Sequence, residues 1–321
     1  MPVSLTGFRL YFGTSTESLD DTESLLVGVP FDADGANGRG AVYIIFHDTA
    51  GLVESHQKLS DLAGDFTGFL ANWNHLGSDV TSIGNLDDDG VTDIVIGAVG
   101  DSDGGFNLGA VYVVFLTQTG SAKSLQKISS VMGDFTATLW TQARFGTGCA
   151  GLGDVNNDQI PDVAVGAPNE PGQGYVRGAA FVIFLDSFGK VLSHQKIGDA
   201  LGGFTGVLVD MDYFGHAVGG LGDVNGDGVA DLVVGVKEDS DGGSDRGAVY
   251  IIFFDGFCRA ITYAHSDYAE TSVTGNTGDT VYVTCDAGFS GSGTVTCEAT
   301  GNFTTVTCTG MWLYFVCYSS I

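Results

Sequence analysis

The sequence predicts an all-β protein built from one repeated four-stranded sheet, with a small second module at its C-terminal end. Three observations carry that prediction. A loop of oxygen-bearing residues begins at 85, 154 and 223, 69 residues apart each time. A short, β-branched, glycine-terminated run follows each loop at the same distance, as in Asp231-Leu-Val-Val-Gly235, which reads as a strand. Fifty glycines stand beside only five prolines, and no long helical pattern interrupts them, so the chain consists of short strands and tight turns.

The loops come first, because the rest of the repeat is placed around them. They read Asn85, Asp87, Asp89 and Asp93; Asp154, Asn156, Asp158 and Asp162; and Asp223, Asn225, Asp227 and Asp231. Oxygen donors at positions 1, 3, 5 and 9, with the backbone carbonyls of Val91, Ile160 and Val229 at position 7, can converge on a hard cation that takes six to eight oxygens. The pattern predicts about three structural Ca²⁺ ions. A helix–loop–helix calcium hand requires a bidentate Glu at position 12, where this chain has Ile96, Val165 and Val234. The loops therefore join strand to strand.

Around the loops the register is strict. Gly28, Gly97, Gly166 and Gly235 recur at the 69-residue period, as do Gly40, Gly109, Gly178 and Gly247, which open Gly-Ala-Val-Tyr-Ile-Ile-Phe and its close variants. A fixed period of this size means that each unit is one supersecondary module in a stacked or radial array. Within the last unit, strands are predicted at roughly 214–221, 231–236 and 247–254. A polar outer strand is expected by analogy with residues 191–197. Three apolar strands and one alternating strand describe a four-stranded sheet with a solvent-facing edge, and such sheets repeated radially make β-propeller blades.

Phe145-Gly146, Phe214-Gly215 and the looser Leu76-Gly77, each followed by the acidic loop, together with Gly-Ala-Pro at 166–168, resemble FG-GAP repeats, the blades of the integrin α-chain propeller. The resemblance implies blades at about 8–59, 76–128, 145–197 and 214–257 within a propeller spanning 1–257, a part of a seven-bladed ring. It also implies calcium loops on the lower face and ligand contacts on the upper one. The first unit departs from the pattern. Phe12-Gly13 lies 15 residues before Gly28, where the later units have 20, and Asp20, Asp21 and Glu23 are off ligand spacing. No calcium is expected there. An array of four blades leaves edge strands open, so a partner chain or further blades are expected to complete it.

Between blades, Phe66, Phe135 and Phe204 recur at one repeat position and read as wedges rather than a ligand rim. Recognition is expected where units differ, at Asn72, Trp73, Trp140 and Tyr213 and in loops 30–39, 99–108, 168–177 and 237–246. Cys149 takes the place of Val80 and Val218 and reads as a buried thiol in a first strand.

The composition changes near residue 258. Cys258, Cys285, Cys297, Cys308 and Cys317 fall here. Cys285 to Cys297, followed by Gly301-Asn302-Phe303 and Cys308, resembles a sushi (complement control) module over 258–308, although Phe303 stands where that family has Trp. The resemblance implies Cys258–Cys297 and Cys285–Cys308, one of three connectivities that four cysteines allow. Such bridges place the protein in an oxidising, extracellular setting, where Asn302-Phe-Thr304 is a glycosylation sequon. Residues 309–321 form an apolar tail too short to cross a bilayer. No secretory signal is visible at Met1-Pro-Val-Ser-Leu, so either the protein is cytosolic or the N-terminus of the natural gene product is missing.

A net charge of −27 repels nucleic-acid phosphates and anionic membranes. No Gly-x-Ser-x-Gly, His-Glu-x-x-His or phosphate-cradling motif occurs, and His56 and His194 share a position on the polar outer strand, expected to face solvent. The sequence thus predicts a non-enzymatic extracellular or cell-surface propeller for adhesion or for binding protein or glycan ligands. The alternative is an accessory propeller of a secreted hydrolase or lipase whose catalytic domain lies elsewhere.

Overall fold

A computed structural model of the chain describes residues 16–18, 24–254, 257–261, 263–264, 266–267, 273–276, 280–287, 289–296 and 304–310. The chain divides into two compact units, Met1–Val224 with Ala230–Phe253, and Asn225–Val229 with Phe254–Ile321.

The first unit holds four antiparallel sheets. β1 (Thr16–Ser18), β2 (Ser24–Val29), β3 (Ala41–His47) and β4 (Val53–Ser60) form the first sheet, in chain order. β5 (Leu76–Gly84), β6 (Asp93–Ala98), β7 (Ala110–Leu116) and β8 (Ala122–Ile128) form the second. β9 (Cys149–Gly153), β10 (Asp162–Ala167), β11 (Ala179–Leu185) and β12 (Val191–Gly198) form the third. The registers repeat with the sequence: Leu25 faces Ile45, Ile94 faces Val114, Val163 faces Ile183 and Leu232 faces Ile252. The second strands read as unbroken apolar runs because both of their faces are covered, all six residues of β6 and β10 being buried. Outer strands β4, β8 and β12 do not alternate as expected: each is exposed or half-buried along a run of residues and buried only at one or both ends.

The glycine periodicity has a steric cause. A Cβ on Gly97 would stand 2.0 Å from the carbonyl oxygen of Gly146, and one on Gly166 would stand 1.9 Å from that of Gly215. Only hydrogen fits where adjacent sheets touch backbone to backbone. Gly40, Gly109 and Gly178 bridge in parallel to Leu76, Phe145 and Phe214 of the next sheet, so the Phe-Gly dipeptide is the part of each unit that docks on its predecessor. Phe135 fills the joint as a wedge, its ring 5.1 Å from Phe145 and 5.6 Å from Phe181. Phe66 and Phe204 do the same against Tyr112 and Phe214. Two apolar cores result. One contains Leu26, Ile44, Leu76, Ile94 and Tyr112, and the other Val95, Val111, Phe145, Val165 and Phe181. Cys149 is a buried thiol in the second of these.

The fourth sheet corrects an expectation. β13 (Phe214–Gly222), β14 (Asp231–Val236) and β15 (Ala248–Ile252) form a sheet of three strands, and among the described residues no outer strand follows. After β15 the chain enters the second unit instead, where β16 (Phe257–Ile261) pairs with β17 (Val273–Asn276).

That second unit also holds β18 (Thr280–Val283) paired with β20 (Gly293–Thr296), and β19 (Phe289–Ser290) paired with β21 (Thr309–Gly310). Cys285 and Cys308 are disulfide-bonded, with Cα atoms 5.6 Å apart. Thr309 and Gly310, the first residues of the expected apolar tail, pair with Ser290 and Phe289. Cys297, Asn302, Phe303, the side chain of Cys258 and residues 311–321 lie outside the described residues, as do Phe12-Gly13 and Asp20, Asp21 and Glu23.

Candidate functional site

The acidic loops join the first strand to the second in three sheets. Each loop has left-handed residues at positions 4 and 6: Asp88 and Gly90, Asn157 and Gln159, Gly226 and Gly228. Side-chain oxygens hold the turn. Asn85 Oδ1 accepts the N–H of Asp89 at 3.0 Å, and Asp154 Oδ1 accepts that of Asp158 at 2.8 Å. Asp89, Asp158 and Asp227 each accept the N–H two residues on, from Val91, Ile160 and Val229, at 2.8 to 2.9 Å.

Position 9 has a second role that spacing alone does not reveal. Asp93 is fully buried and accepts the N–H of Leu86 at 2.9 Å and of Leu116 at 3.0 Å. Asp162 does the same with Val155 and Leu185, both at 3.2 Å. Asp231 is also buried and accepts from Val224 at 3.0 Å. Desolvation pushes the Asp93 carboxyl up to about 6 and Asp162 to about 7, against the pull of those hydrogen bonds. The neighbouring loop carboxylates, Asp87 and Asp89 or Asp158 and Asp154, add to the rise. Asp93 and Asp162 thus tie the loop's start to the far end of the third strand.

The second sheet adds a cation that sequence reasoning missed. Lys123 Nζ, from β8, stands 2.7 Å from Asp87 and 2.6 Å from Asp89, and its hydrogen bond holds the Asp89 carboxyl below the usual range. The corresponding residues are Glu54 and Leu192, so only this repeat has it. Comparing outer strands at the position that follows the first apolar residue would have found it.

The residues suit a hard cation in donor type. A lysine ammonium already sits between two of the expected ligands, and Asp87 Oδ1 is buried without a hydrogen-bond partner. Asn85, Asp87, Asp89 and Asp93 would hold an ion in the first loop, and Asp154, Asn156, Asp158 and Asp162 in the second. Among the described residues, however, no group of three or more His, Cys, Asp or Glu side chains is drawn together closely enough to hold a metal, since position 9 is turned into the sheet.

On the connection between sheets, Trp73, Gln142 and Met211 share one repeat position and Tyr213 shares another with His75 and Arg144, all left-handed. Trp73, Gln142 and Met211 donate their N–H to Asn37, Phe106 and Tyr175 in the variable loop of the preceding sheet. Trp73 and Trp140 are exposed, and Tyr213 is half-buried beneath Lys237, whose Nζ lies 5.8 Å from its ring. The three aromatics occupy three successive junctions rather than one cluster. A cavity of about 670 Å³ opens at the second sheet over Phe69, Asn74, Asp101, Tyr112 and Lys127. His194, expected to face solvent, instead packs its ring 5.0 Å from Phe135.

Repeated antiparallel sheets in common register, three of them with an acidic turn between first and second strands, define an array of sheets of the β-propeller-blade type. The FG-GAP repeat family matches residues 149–182 and 214–252. The chain is 34% identical to integrin alpha-E of Homo sapiens over 168 residues, 50% of this chain and 13% of that protein. It is 28% identical to integrin alpha-7 of Homo sapiens over 239 residues, 74% of this chain and 17% of that protein. To integrin alpha-6 of Gallus gallus it is 28% identical over 243 residues, 74% of this chain and 19% of that protein. The chain spans less than a fifth of the length of each of these relatives.

Proposed function

We propose that the chain is a non-enzymatic, calcium-binding propeller scaffold of the cell surface or extracellular space, serving adhesion or the binding of a protein or glycan ligand. The observation that carries this reading is a single one. Three loops of one backbone shape recur on rigid sheets, while the junction loops that bear Trp73, Trp140 and Tyr213 differ from repeat to repeat. Similarity to integrin alpha chains supports the same reading.

Calcium's contribution would be architectural. When bound it neutralises crowded carboxylates, which at about 4 Å repel by roughly 4 kcal/mol per pair at an effective dielectric of 20. Sites of the extracellular kind bind at about 10⁻⁴ to 10⁻³ M. Residues 1–257 form the blade array in this reading, residues 258–308 a sushi-like module with Cys258–Cys297 as a second bridge, and Asn302 the glycan acceptor. The open face of β15, where Val249 is 67% and Ile251 49% exposed, favours a partner chain or further blades.

The test is solid-phase binding of the full chain to panels of extracellular-matrix proteins and glycans, in calcium and in chelator. Calcium-dependent capture that is lost in Trp73→Ala, Trp140→Ala or Tyr213→Ala, at unchanged thermal midpoint, supports the reading. Capture indifferent to calcium and to all three substitutions overturns it.

A further inference from the structure

A second acid–lysine arrangement repeats at the turn between second and third strands. Lys58 Nζ lies 3.0 Å from Asp32 and 3.1 Å from Asp34, and Lys127 Nζ lies 2.9 Å from Asp101 and 3.3 Å from Asp103. Lys196 Nζ lies 2.5 Å from Glu170. Each ammonium also sits over an aromatic ring of the third strand, Tyr43, Tyr112 or Phe181, at 5.5 to 5.8 Å. All three lysines come from the outer strand, and each faces that aromatic residue in the ladder: Tyr43 with Lys58, Tyr112 with Lys127, Phe181 with Lys196.

The fourth sheet keeps the acidic turn and the aromatic residue of this arrangement, but the lysine's repeat position is His265 and no outer strand is present among the described residues. Asp239, Asp241 and Tyr250 stand at the corresponding positions, and Asp239 is buried. Among the described residues no cation pairs with either aspartate, since Lys237 is engaged by Glu238 at 3.1 Å. The arrangement is also more acidic than its counterpart. Where Asn74 donates its amide to Asp101, the chain has Asp212. Asp212 is 1% exposed, and its Oδ1 has no hydrogen-bond partner. Burial raises its pKa, and the charges of Asp239 and Asp241 add to the rise.

We infer that the edge of β15, which no strand pairs among the described residues, receives an extended segment of a partner polypeptide, paired antiparallel, with a lysine opposite Tyr250. The three complete sheets supply its pattern: Gln opposite Ile44, Val113 and Val182, Lys at the next position, and Leu or Ile opposite Val42, Val111 and Ala180. The partner thus carries Gln-Lys followed by an aliphatic residue. Main-chain hydrogen bonds to the edge provide affinity and the lysine fixes the register. A second copy of this chain is a poor source, because its own strands of this type, 53–60, 122–128 and 191–198, are already paired, and lending one would bare another sheet. This inference does not depend on calcium in the turns.

The test is fluorescence anisotropy of a labelled peptide with the sequence of residues 191–198, titrated with the full chain in chelator. Saturable binding at about 1 mM or tighter is expected, weakened about tenfold by Lys→Gln in the peptide and by Asp239→Asn with Asp241→Asn in the chain. A peptide with Gln and Lys exchanged has the same charge but turns its lysine to the opposite face of the sheet. It should fail to bind. Equal binding of the exchanged peptide, or no binding of any, overturns the inference. So does self-association of the chain that Ile251→Lys abolishes and the peptide does not compete, which would make the occupant a second copy.

Discussion

Asp93, the first residue of one strand, accepts the backbone N–H of Leu116, the last residue of the next, at 3.0 Å. The same carboxylate takes the N–H of Leu86 from the turn at 2.9 Å. A residue that spacing marks as a metal ligand is thereby also the clamp that closes the strand end.

Removing the clamp should damage the fold whether or not calcium is present. Asp93→Ala leaves two N–H groups without their acceptor, and Asp162→Ala strands those of Val155 and Leu185. Each should cost about 3 kcal/mol, the penalty for unmet buried hydrogen bonds. Urea denaturation in chelator reads it directly. A loss that appears only in calcium would mean that these carboxylates act as ligands and not as clamps.

The docking glycines offer a contrast between joined and open sheets. A methyl group on Gly97 would meet the carbonyl oxygen of Gly146 at 2.0 Å, whereas on Gly235 its nearest neighbour is the Cβ of Ala217 at 3.4 Å. Gly97→Ala should therefore destabilise by about 3 kcal/mol. Gly235→Ala should lie within about 0.5 kcal/mol of the parent. Denaturation midpoints of the two variants compare them.

Asp212 should be a liability at neutral pH. Its pKa is raised in the folded chain, first by burial and then by Asp239 and Asp241, against the pull of the Val209 N–H. Ionising it thus costs stability, a cost absent below the ordinary carboxylate value of 3.8 and fully present above the raised folded value. Asp212→Asn removes that cost and restores the pairing seen between Asn74 and Asp101. The variant should gain about 1 kcal/mol at neutral pH, and the gain should disappear as the pH falls below about 4. Thermal midpoints across that range show the trend.

Lys123 should compete with any metal for its turn. Lys123→Met frees Asp87 and Asp89 of the ammonium that spans them. The variant should bind calcium more tightly at that loop in calorimetric titration. An unchanged titration would place the ion, or the lysine, elsewhere.

Much of this was legible in the sequence because the forces involved are local or periodic. Burial on both faces gives the unbroken apolar strand, backbone contact requires glycine at Gly97 and Gly166, and the acidic turns declare themselves by spacing. The inward bonds of Asp93 were not legible, since their donor at Leu116 lies a whole hairpin away. Lys123 was hidden because it departs from the repeat, and repeats draw attention to what recurs. The outer strand expected on the fourth sheet, absent among the described residues, came from extrapolating the repeat. Residues 260–267 fall where that strand is due, yet the chain pairs 257–261 with 273–276 instead.

The most direct test of the central claim is thermal unfolding of the full chain in millimolar calcium, in magnesium and in chelator. A rise in midpoint specific to calcium, abolished when Asp89→Ala, Asp158→Ala and Asp227→Ala are combined, is the predicted result. Three coincident curves from a well-folded chain would contradict it, leaving the acidic turns as hydrogen-bonded structure alone.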